Sequence, residues 1–224
     1  MKKIIIAIDS FKGCLTSAEA GKAAEKGIKS INPSCHTSVI PIADGGEGLL
    51  DVLITATKGK YITLSAHGPL MKMAKTHYGL SGNGRTAIIE MAAISGLPLV
   101  PIEQRNPMLT TTFGTGELIK DALNKGCRNF IIGIGGSATN DAGLGMLQAL
   151  GFRFLDKSGH TLGTGGQIME AVANIDTSGI HPALRETHFM VACDVANPFY
   201  GPDGAAYILS LIHISEPTRR VVIS

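Results

Sequence analysis

The chain has 224 residues, of which 44% are hydrophobic and 17% are charged, and its formal net charge is +2. This small charge, the scattered Lys and Arg residues and the absence of Trp argue against a nucleic-acid or acidic-membrane partner. The cysteines form no CxxC pair or Cys/His cluster, and no signal peptide or membrane span is predicted. The sequence therefore predicts a globular, cytoplasmic protein that acts on a small molecule.

The first part of the chain alternates predicted strands with predicted helices. Residues 4–8 are an Ile-rich run typical of a strand that is buried on both faces of a parallel sheet. A capping-box pattern at residues 16–19 predicts a helix that ends near residue 30, and a strand and a helix are predicted at 38–42 and 49–57. This β-α-β-α order predicts an α/β fold with a Rossmann-like, doubly wound parallel sheet, in which ligands bind beyond the carboxyl ends of the strands.

Beyond residue 60 the pattern changes, and we predict a domain division between residues 66 and 67. Residues 61–64 and 76–80 are short β-like pieces, and a hairpin-type turn at 81–84 precedes a strand at 86–91. A helix is predicted at 114–126, with Thr115 as its cap and Gly126 in a left-handed conformation at its end. The remaining predicted elements are strands at 130–134 and 189–193 and a helix that follows Asp141 and runs to about residue 150.

A glycine-rich loop connects the strand at 130–134 to the helix that follows it. Its glycines let the backbone approach a ligand closely, and the free amides at the start of a helix favour an anion, so the loop is a candidate phosphate site. The alternative is a tight turn in which Thr139 or Asn140 only caps the helix. The candidate nucleotide-binding residues are Gly133, Gly135, Gly136, Ser137, Thr139 and Asn140, and Asp141 is the candidate magnesium ligand.

Acidic residues follow several of the predicted strands. The pairs are Asp9 with Lys12, Asp44 with Glu47, and Asp194 with Asn197. Phosphoryl transfer needs a carboxylate that orients the attacking hydroxyl, a cation beside the transferred group and carboxylates for magnesium. Each acid taken singly is better explained as a turn cap, but their repetition favours a function. Glu90 lies in an apolar run, where it is either a functional acid or half of a structural ion pair. The chain contains no P-loop, dinucleotide-binding or protein-kinase motif.

The same segments, in this order, resemble the glycerate kinase family. The matching stretches are residues 8–13, 43–48, 89–92, 106–107, 110–117, 133–141, 192–195 and 197–198. The resemblance implies phosphorylation of D-glycerate with ATP and Mg²⁺ on a two-domain α/β fold, with residues 67–208 as a second domain inserted into a discontinuous first one. Our hypothesis for the mechanism is that Asp44 or Asp194 orients the attacking hydroxyl and that Lys12 offsets charge. The candidate substrate contacts are Asp9, Ser10, Gly45, Gly46 and Asn197.

Residues 209–224 do not resemble the family and are similar to a translated sequencing-adapter tail. We therefore expect this tail to be an artefact, the chain to be a truncated kinase and the activity of this form to be doubtful. One alternative function is a phosphosugar isomerase or lyase that holds a substrate phosphate in the glycine-rich loop. The other is a non-catalytic domain that binds a small anion, against which the repeated acids argue.

Overall fold

The computed structural model describes residues 3–11, 14–43, 46, 48–193, 201–202 and 204. Within these ranges no helix combines the length and the apolar composition that a membrane span requires. The strands are β1 (Lys3–Ile6), β2 (His36–Val39), β3 (Lys60–His67), β4 (Met73–Leu80), β5 (Thr86–Glu90), β6 (Asn129–Gly133), β7 (Arg153–Leu155), β8 (Asn174–Asp176) and β9 (His188–Ala192). The α-helices are α1 (Ser17–Ile31), α2 (Leu49–Thr57), α3 (Ala92–Ser95), α4 (Phe113–Asn124) and α5 (Leu144–Ala149). Short 3-10 helices are Leu97–Leu99, Ile102–Gln104, Gly166–Ala171 and Pro182–Glu186.

The amino-terminal unit consists of β1 and β2, which pair in parallel, and α1 between them. The predicted capping box is confirmed, because the Thr16 hydroxyl accepts from the Glu19 amide at 3.2 Å and the Glu19 carboxylate accepts from the Thr16 amide at 2.9 Å. The second strand was predicted at 38–42, but the observed strand β2 begins and ends earlier in the chain, at His36–Val39. The last ladder bond runs from the amide of Ile40 to the carbonyl of Ile6, and the next residue, Pro41, has no N–H to continue it.

A five-stranded mixed sheet forms the centre of the described structure, in the order β3-β4-β5-β6-β9. The predicted pieces at 61–64 and 76–80 belong to one long antiparallel hairpin, β3–β4, whose register runs from Lys60 opposite Leu80 to His67 opposite Met73. β4 and β5 are also antiparallel, whereas β5, β6 and β9 are parallel. This sheet already begins at Lys60, and the domain division after residue 66 stays a prediction.

Helices cover both faces of this sheet, which explains why the three middle residues of β5, Ala87, Ile88 and Ile89, are apolar and buried. Ile88 packs against Leu50 and Ile54 of α2. Ile89 faces the other way and belongs to the main core, because successive strand residues point to opposite faces. The main core also contains Leu118 and Ile119 of α4, Phe130 of β6 and Tyr78 of β4, and each of these side chains is at most 1% exposed.

The start of α4 differs from its prediction. The cap residue is Thr112 rather than Thr115. Thr115 is buried inside the helix, and its hydroxyl lies 2.8 Å from that of Ser95. The predicted left-handed glycine after the helix is confirmed, since Gly126 has φ +91°.

The fold class is α/β, with parallel strand pairing on one side of the main sheet. The described residues do not form one doubly wound parallel sheet: β1 and β2 make a separate two-stranded sheet, and β7 and β8 make another. A short turn connects β3 to β4, and such a connection permits only antiparallel pairing. The Rossmann-like character of the first part and the insertion of the second remain predictions.

Candidate functional site

Ser17 holds the two amino-terminal loops next to each other. Its side chain is 7% exposed, and its hydroxyl donates to the carbonyl of Ile8 at 2.6 Å and accepts from the amide of Ile42 at 3.0 Å. The chain that follows β1 and the chain that follows β2 therefore start side by side. Asp9 lies at the beginning of the first loop, where its carboxylate accepts from the amide of Ser10 at 2.6 Å. Sequence reasoning did not single out Ser17, because its contacts depend on the folded arrangement.

Several predicted site residues fall outside the described residues. They are Lys12, Asp44, Gly45, Glu47, Asp194 and Asn197. Gly46 is described, and its carbonyl accepts from the amide of Leu49 at 3.4 Å at the start of α2.

A cavity of about 450 Å³ lies beside these loops. Its volume is in the range typical of small-molecule sites. Its wall comes from the loop after β1, from the starts of α1 and α2, and from β4 and β5. The polar lining residues include Ser10, Thr16, Asp51, His77 and Glu90.

Glu90 lies at the end of β5 and faces the start of α2. Its Oε1 accepts from the amide of Leu50 at 2.8 Å, and the amide of Gly48 also donates to the carboxylate. Gly48, the cap residue of α2, has φ +94° and no side chain with which to cap the helix. Glu90 therefore caps α2 from a neighbouring strand, a contact that the sequence did not suggest, and the role of a functional acid stays a prediction.

The environment of Glu90 opposes its ionisation. Burial is the main cause that raises the pKa of this carboxyl above its usual value, and the negative charge of Asp51 adds to it. Hydrogen bonds from the amides of Leu50 and Gly48 and the proximity of His77 act in the opposite direction. The carboxyl thus binds its proton more tightly than a solvated glutamate does.

Asp51 and His77 are themselves linked through Tyr61. The Tyr61 hydroxyl donates to Asp51 Oδ1, and this bond is the main cause that raises the pKa of Tyr61 to about 12. The His77 ring packs edge-on against Tyr61, with 5.6 Å between the ring centroids. Among the described lining residues, Glu19, Asp51 and Glu90 are acids, and neither Lys nor Arg is present.

The glycine-rich loop begins at Gly133, at the end of β6, and is held by the chain after β5. The amide of Leu97 donates to the carbonyl of Gly136 at 3.0 Å, and the amide of Ala138 donates to the carbonyl of Ser95 at 2.8 Å. Gly136 has φ +71°, a conformation that favours glycine. Gly135 and Asn140 are half-buried, and Ser137 and Thr139 bond to each other, with their hydroxyl oxygens 2.6 Å apart.

The helix after this loop differs from its prediction. It starts at Leu144 instead of directly after Asp141, because Ala142 and Gly143 adopt left-handed conformations with φ +52° and +74°. Its first amides are also not free. Those of Gly143 and Gly145 donate to Asp141 at 3.0 and 3.1 Å, and that of Met146 donates to the Thr112 hydroxyl at 2.9 Å. The expectation that free amides of this helix would hold a phosphate was therefore wrong.

Asp141 is the centre of a buried hydrogen-bond network. It is 1% exposed, and its Oδ2 accepts from the amide of Thr112 at 2.8 Å and from the Thr112 hydroxyl at 2.9 Å. The Thr111 hydroxyl donates to the same oxygen at 3.3 Å. The network connects the cap of α4 to the start of α5. It occupies both carboxylate oxygens, which argues for a structural role of Asp141, and its assignment to magnesium stays a prediction.

The ends of the parallel strands bring the remaining parts of the site to one edge of the sheet. Glu90 is paired with Gly133, and Gly133 is paired with Ala192, the last residue of β9. Glu90 therefore lies between the cavity and the glycine-rich loop. Asp194 follows β9 by two residues in the sequence.

No group of three or more His, Cys, Asp and Glu side chains in the described ranges could hold a metal ion.

Comparisons with known proteins identify the family of the chain. The model of the glycerate kinase family matches residues 4–210. The chain is similar to a glycerate kinase from Bacillus subtilis, with 53% identity over 206 residues that cover 92% of this chain and 54% of the relative. It is also 49% identical to a glycerate 2-kinase from Escherichia coli over 92% of this chain and 54% of that protein.

A solved structure of a protein described as a glycerate kinase also matches the chain. A crystal structure described as that of a glycerate kinase 2 from Salmonella typhimurium LT2 matches with a TM-score of 0.85 and 46% identity, covering 96% of this chain and 58% of that chain. The chain spans about half the length of the curated relatives it matches. Because the family model covers most of its length, the chain belongs to the glycerate kinase family.

Proposed function

We propose that this protein phosphorylates D-glycerate with ATP. The observation that carries the proposal is the cavity beside the amino-terminal loops, which has the volume of a small-molecule site and is lined by Glu90, whose strand partner Gly133 begins the glycine-rich loop, in a chain that belongs to the glycerate kinase family. The glycerate hydroxyl oxygen forms a bond to the γ-phosphorus of ATP, and the bond from that phosphorus to the β–γ bridging oxygen breaks. ADP leaves, and the hydroxyl proton passes to a carboxylate.

The cavity is the substrate site in this proposal. Phe11 and Cys14, which flank Lys12 in the sequence, both line the cavity, as do Pro41 and Gly48 on either side of Asp44. Because the described lining is acidic, Lys12 supplies the positive charge that a glycerate carboxylate or a transferring phosphoryl group requires. Asp44 or Asp194 orients the attacking hydroxyl. Asp9, Ser10, Gly45, Gly46 and Asn197 contact the substrate.

The glycine-rich loop takes the nucleotide phosphates. Gly133, Gly135 and Gly136 allow a close approach of the backbone, and Ser137, Thr139 and Asn140 add donors. Mg²⁺, when bound, would neutralise charge on the phosphates. The described residues do not fit this ion well, because the oxygens of Asp141 are occupied by hydrogen bonds. Asp141 therefore has no part in this proposal as a magnesium ligand.

An assay of ADP release tests the function. The chain should release ADP from ATP when D-glycerate is added, and Asp44→Asn and Asp194→Asn should each reduce the rate severely while the circular dichroism spectrum stays unchanged. The matched control is Asp156→Asn, which changes a half-buried turn residue that does not line the cavity and should keep the wild-type rate. Turnover of a sugar phosphate without ATP would favour an isomerase or lyase instead, and saturable binding without any product would favour a binding domain.

A further inference from the structure

Glu90 contacts one proposed ligand loop through its side chain and is next to the other through its backbone. Its carboxylate holds the amide of Leu50, which lies 40 residues away in the sequence and directly follows the loop that carries Asp44. The amide of the next residue, Met91, donates to the carbonyl of Gly133 at 2.9 Å, where the glycine-rich loop begins. A single strand end thus contacts both loops.

The segment after Glu90 strengthens the second connection. Ser95 and Leu97 bond to Ala138 and Gly136 through their backbones, and Gly96 and Ser137 form a β-bridge. These bonds hold the glycine-rich loop whatever side chain is at residue 90. The start of α2 is different, because α2 has no side-chain cap of its own and its first turn is held from outside by the Glu90 carboxylate.

We propose that Glu90 is a positioning residue, which fixes the start of α2 relative to the end of β5 and, through it, to the glycine-rich loop. This inference rests on the proposed function, since it assumes that the chain entering α2 holds the hydroxy acid and that the glycine-rich loop holds the nucleotide. Displacing one reactant by about 1 Å costs on the order of 100-fold in rate, so a carboxylate that acts only on loop placement has a large effect on kcat. It has little effect on the KM for ATP, because the backbone holds the nucleotide loop.

The first measurement is hydrogen exchange at the Leu50 amide, which needs no enzymatic activity. A hydrogen bond to a charged acceptor contributes about 1.5–3 kcal/mol, so Glu90→Ala should speed this exchange roughly 10- to 100-fold relative to wild type. Glu90→Gln keeps an oxygen at the Oε1 position and should retain most of the protection. The control pair, Glu103→Ala and Glu103→Gln, changes an exposed glutamate and should have no effect. Unchanged exchange in Glu90→Ala would overturn the proposal.

The second measurement separates positioning from a purely structural role. With D-glycerate and ATP, Glu90→Ala should lower kcat at least about tenfold with the KM for ATP nearly unchanged, and Glu90→Gln should recover most of the loss. If Glu90→Ala keeps the wild-type kcat, Glu90 does not position the site. If Glu90→Gln is as slow as Glu90→Ala, the negative charge of Glu90 is what matters, and the positioning role is contradicted. If the wild-type chain shows no transfer, the proposed function fails, and the Leu50 exchange still decides whether Glu90 holds α2.

Discussion

The buried carboxylate of Asp141 offers the sharpest test of how the loop region is held together. Three backbone amides, those of Thr112, Gly143 and Gly145, donate to it, and the side chain is 1% exposed. Asp141→Ala leaves these amides without their acceptor in a site that water cannot easily reach. Asp141→Asn keeps the shape but puts an NH₂ group where an acceptor is needed.

The expected loss of stability follows from these contacts. Each buried donor left unsatisfied costs about 1–3 kcal/mol, so Asp141→Ala should lower the free energy of unfolding by about 3–6 kcal/mol. Asp141→Asn should lower the free energy of unfolding by about 2–4 kcal/mol, because the remaining amide oxygen of the Asn side chain still accepts from some of these backbone amides. Since whole domains are stable by only about 5–15 kcal/mol, both variants should unfold at clearly lower urea concentration.

Urea unfolding followed by circular dichroism measures this loss. Asp156→Asn is the matched control, because Asp156 also accepts from two amides, at 2.8 and 2.9 Å, but does so in an exposed turn. Its midpoint should move far less than that of Asp141→Asn. If Asp141→Asn unfolded within about 0.5 kcal/mol of wild type, the network would not carry stability and the magnesium role of Asp141 would regain support.

Further substitutions test other parts of the account. Thr16→Ala removes the cap of α1 and should cost about 1 kcal/mol in urea unfolding. Gly116→Ala places a methyl group against the Met146 carbonyl and 2.7 Å from the Ala149 side chain, so it should lower the free energy of unfolding by about 1–3 kcal/mol. Gly27 has open space around it, so Gly27→Ala should not destabilise the protein. Because the folded pKa of Glu90 is raised, its ionisation costs stability as the pH rises above 4.5, the unshifted value, and this cost is absent below it. Glu90→Gln should therefore gain stability relative to wild type between pH 4 and pH 8, and a constant difference across that range would contradict the burial argument.

The features that could be predicted from the sequence are the ones that local signals determine. The helix predicted at residues 49–57 has those bounds, and the Thr16 capping box was recognised because its partners are three residues apart. The left-handed glycine at residue 126 was also predicted from a local signal, because glycine favours this conformation directly after a helix. Strand ends were less accurate, since the last ladder bond depends on the partner strand.

The contacts that define the site connect distant parts of the chain, and no local pattern announces them. Glu90 and Leu50 are 40 residues apart, and Asp141 and Thr112 are 29 residues apart. His67 Nδ1 likewise lies 2.9 Å from the Glu117 carboxylate, 50 residues away. The sequence therefore identified which segments carry polar groups, while only the fold shows which of these groups are structural.

Phosphorus NMR of the chain mixed with ATP, magnesium and D-glycerate tests the central claim most directly. We predict that the γ-phosphate signal of ATP falls while ADP and a phosphate monoester appear in equal amounts, and that omitting D-glycerate abolishes both products. An unchanged ATP spectrum with a folded chain, or release of inorganic phosphate in place of the ester, would contradict glycerate phosphorylation by this protein.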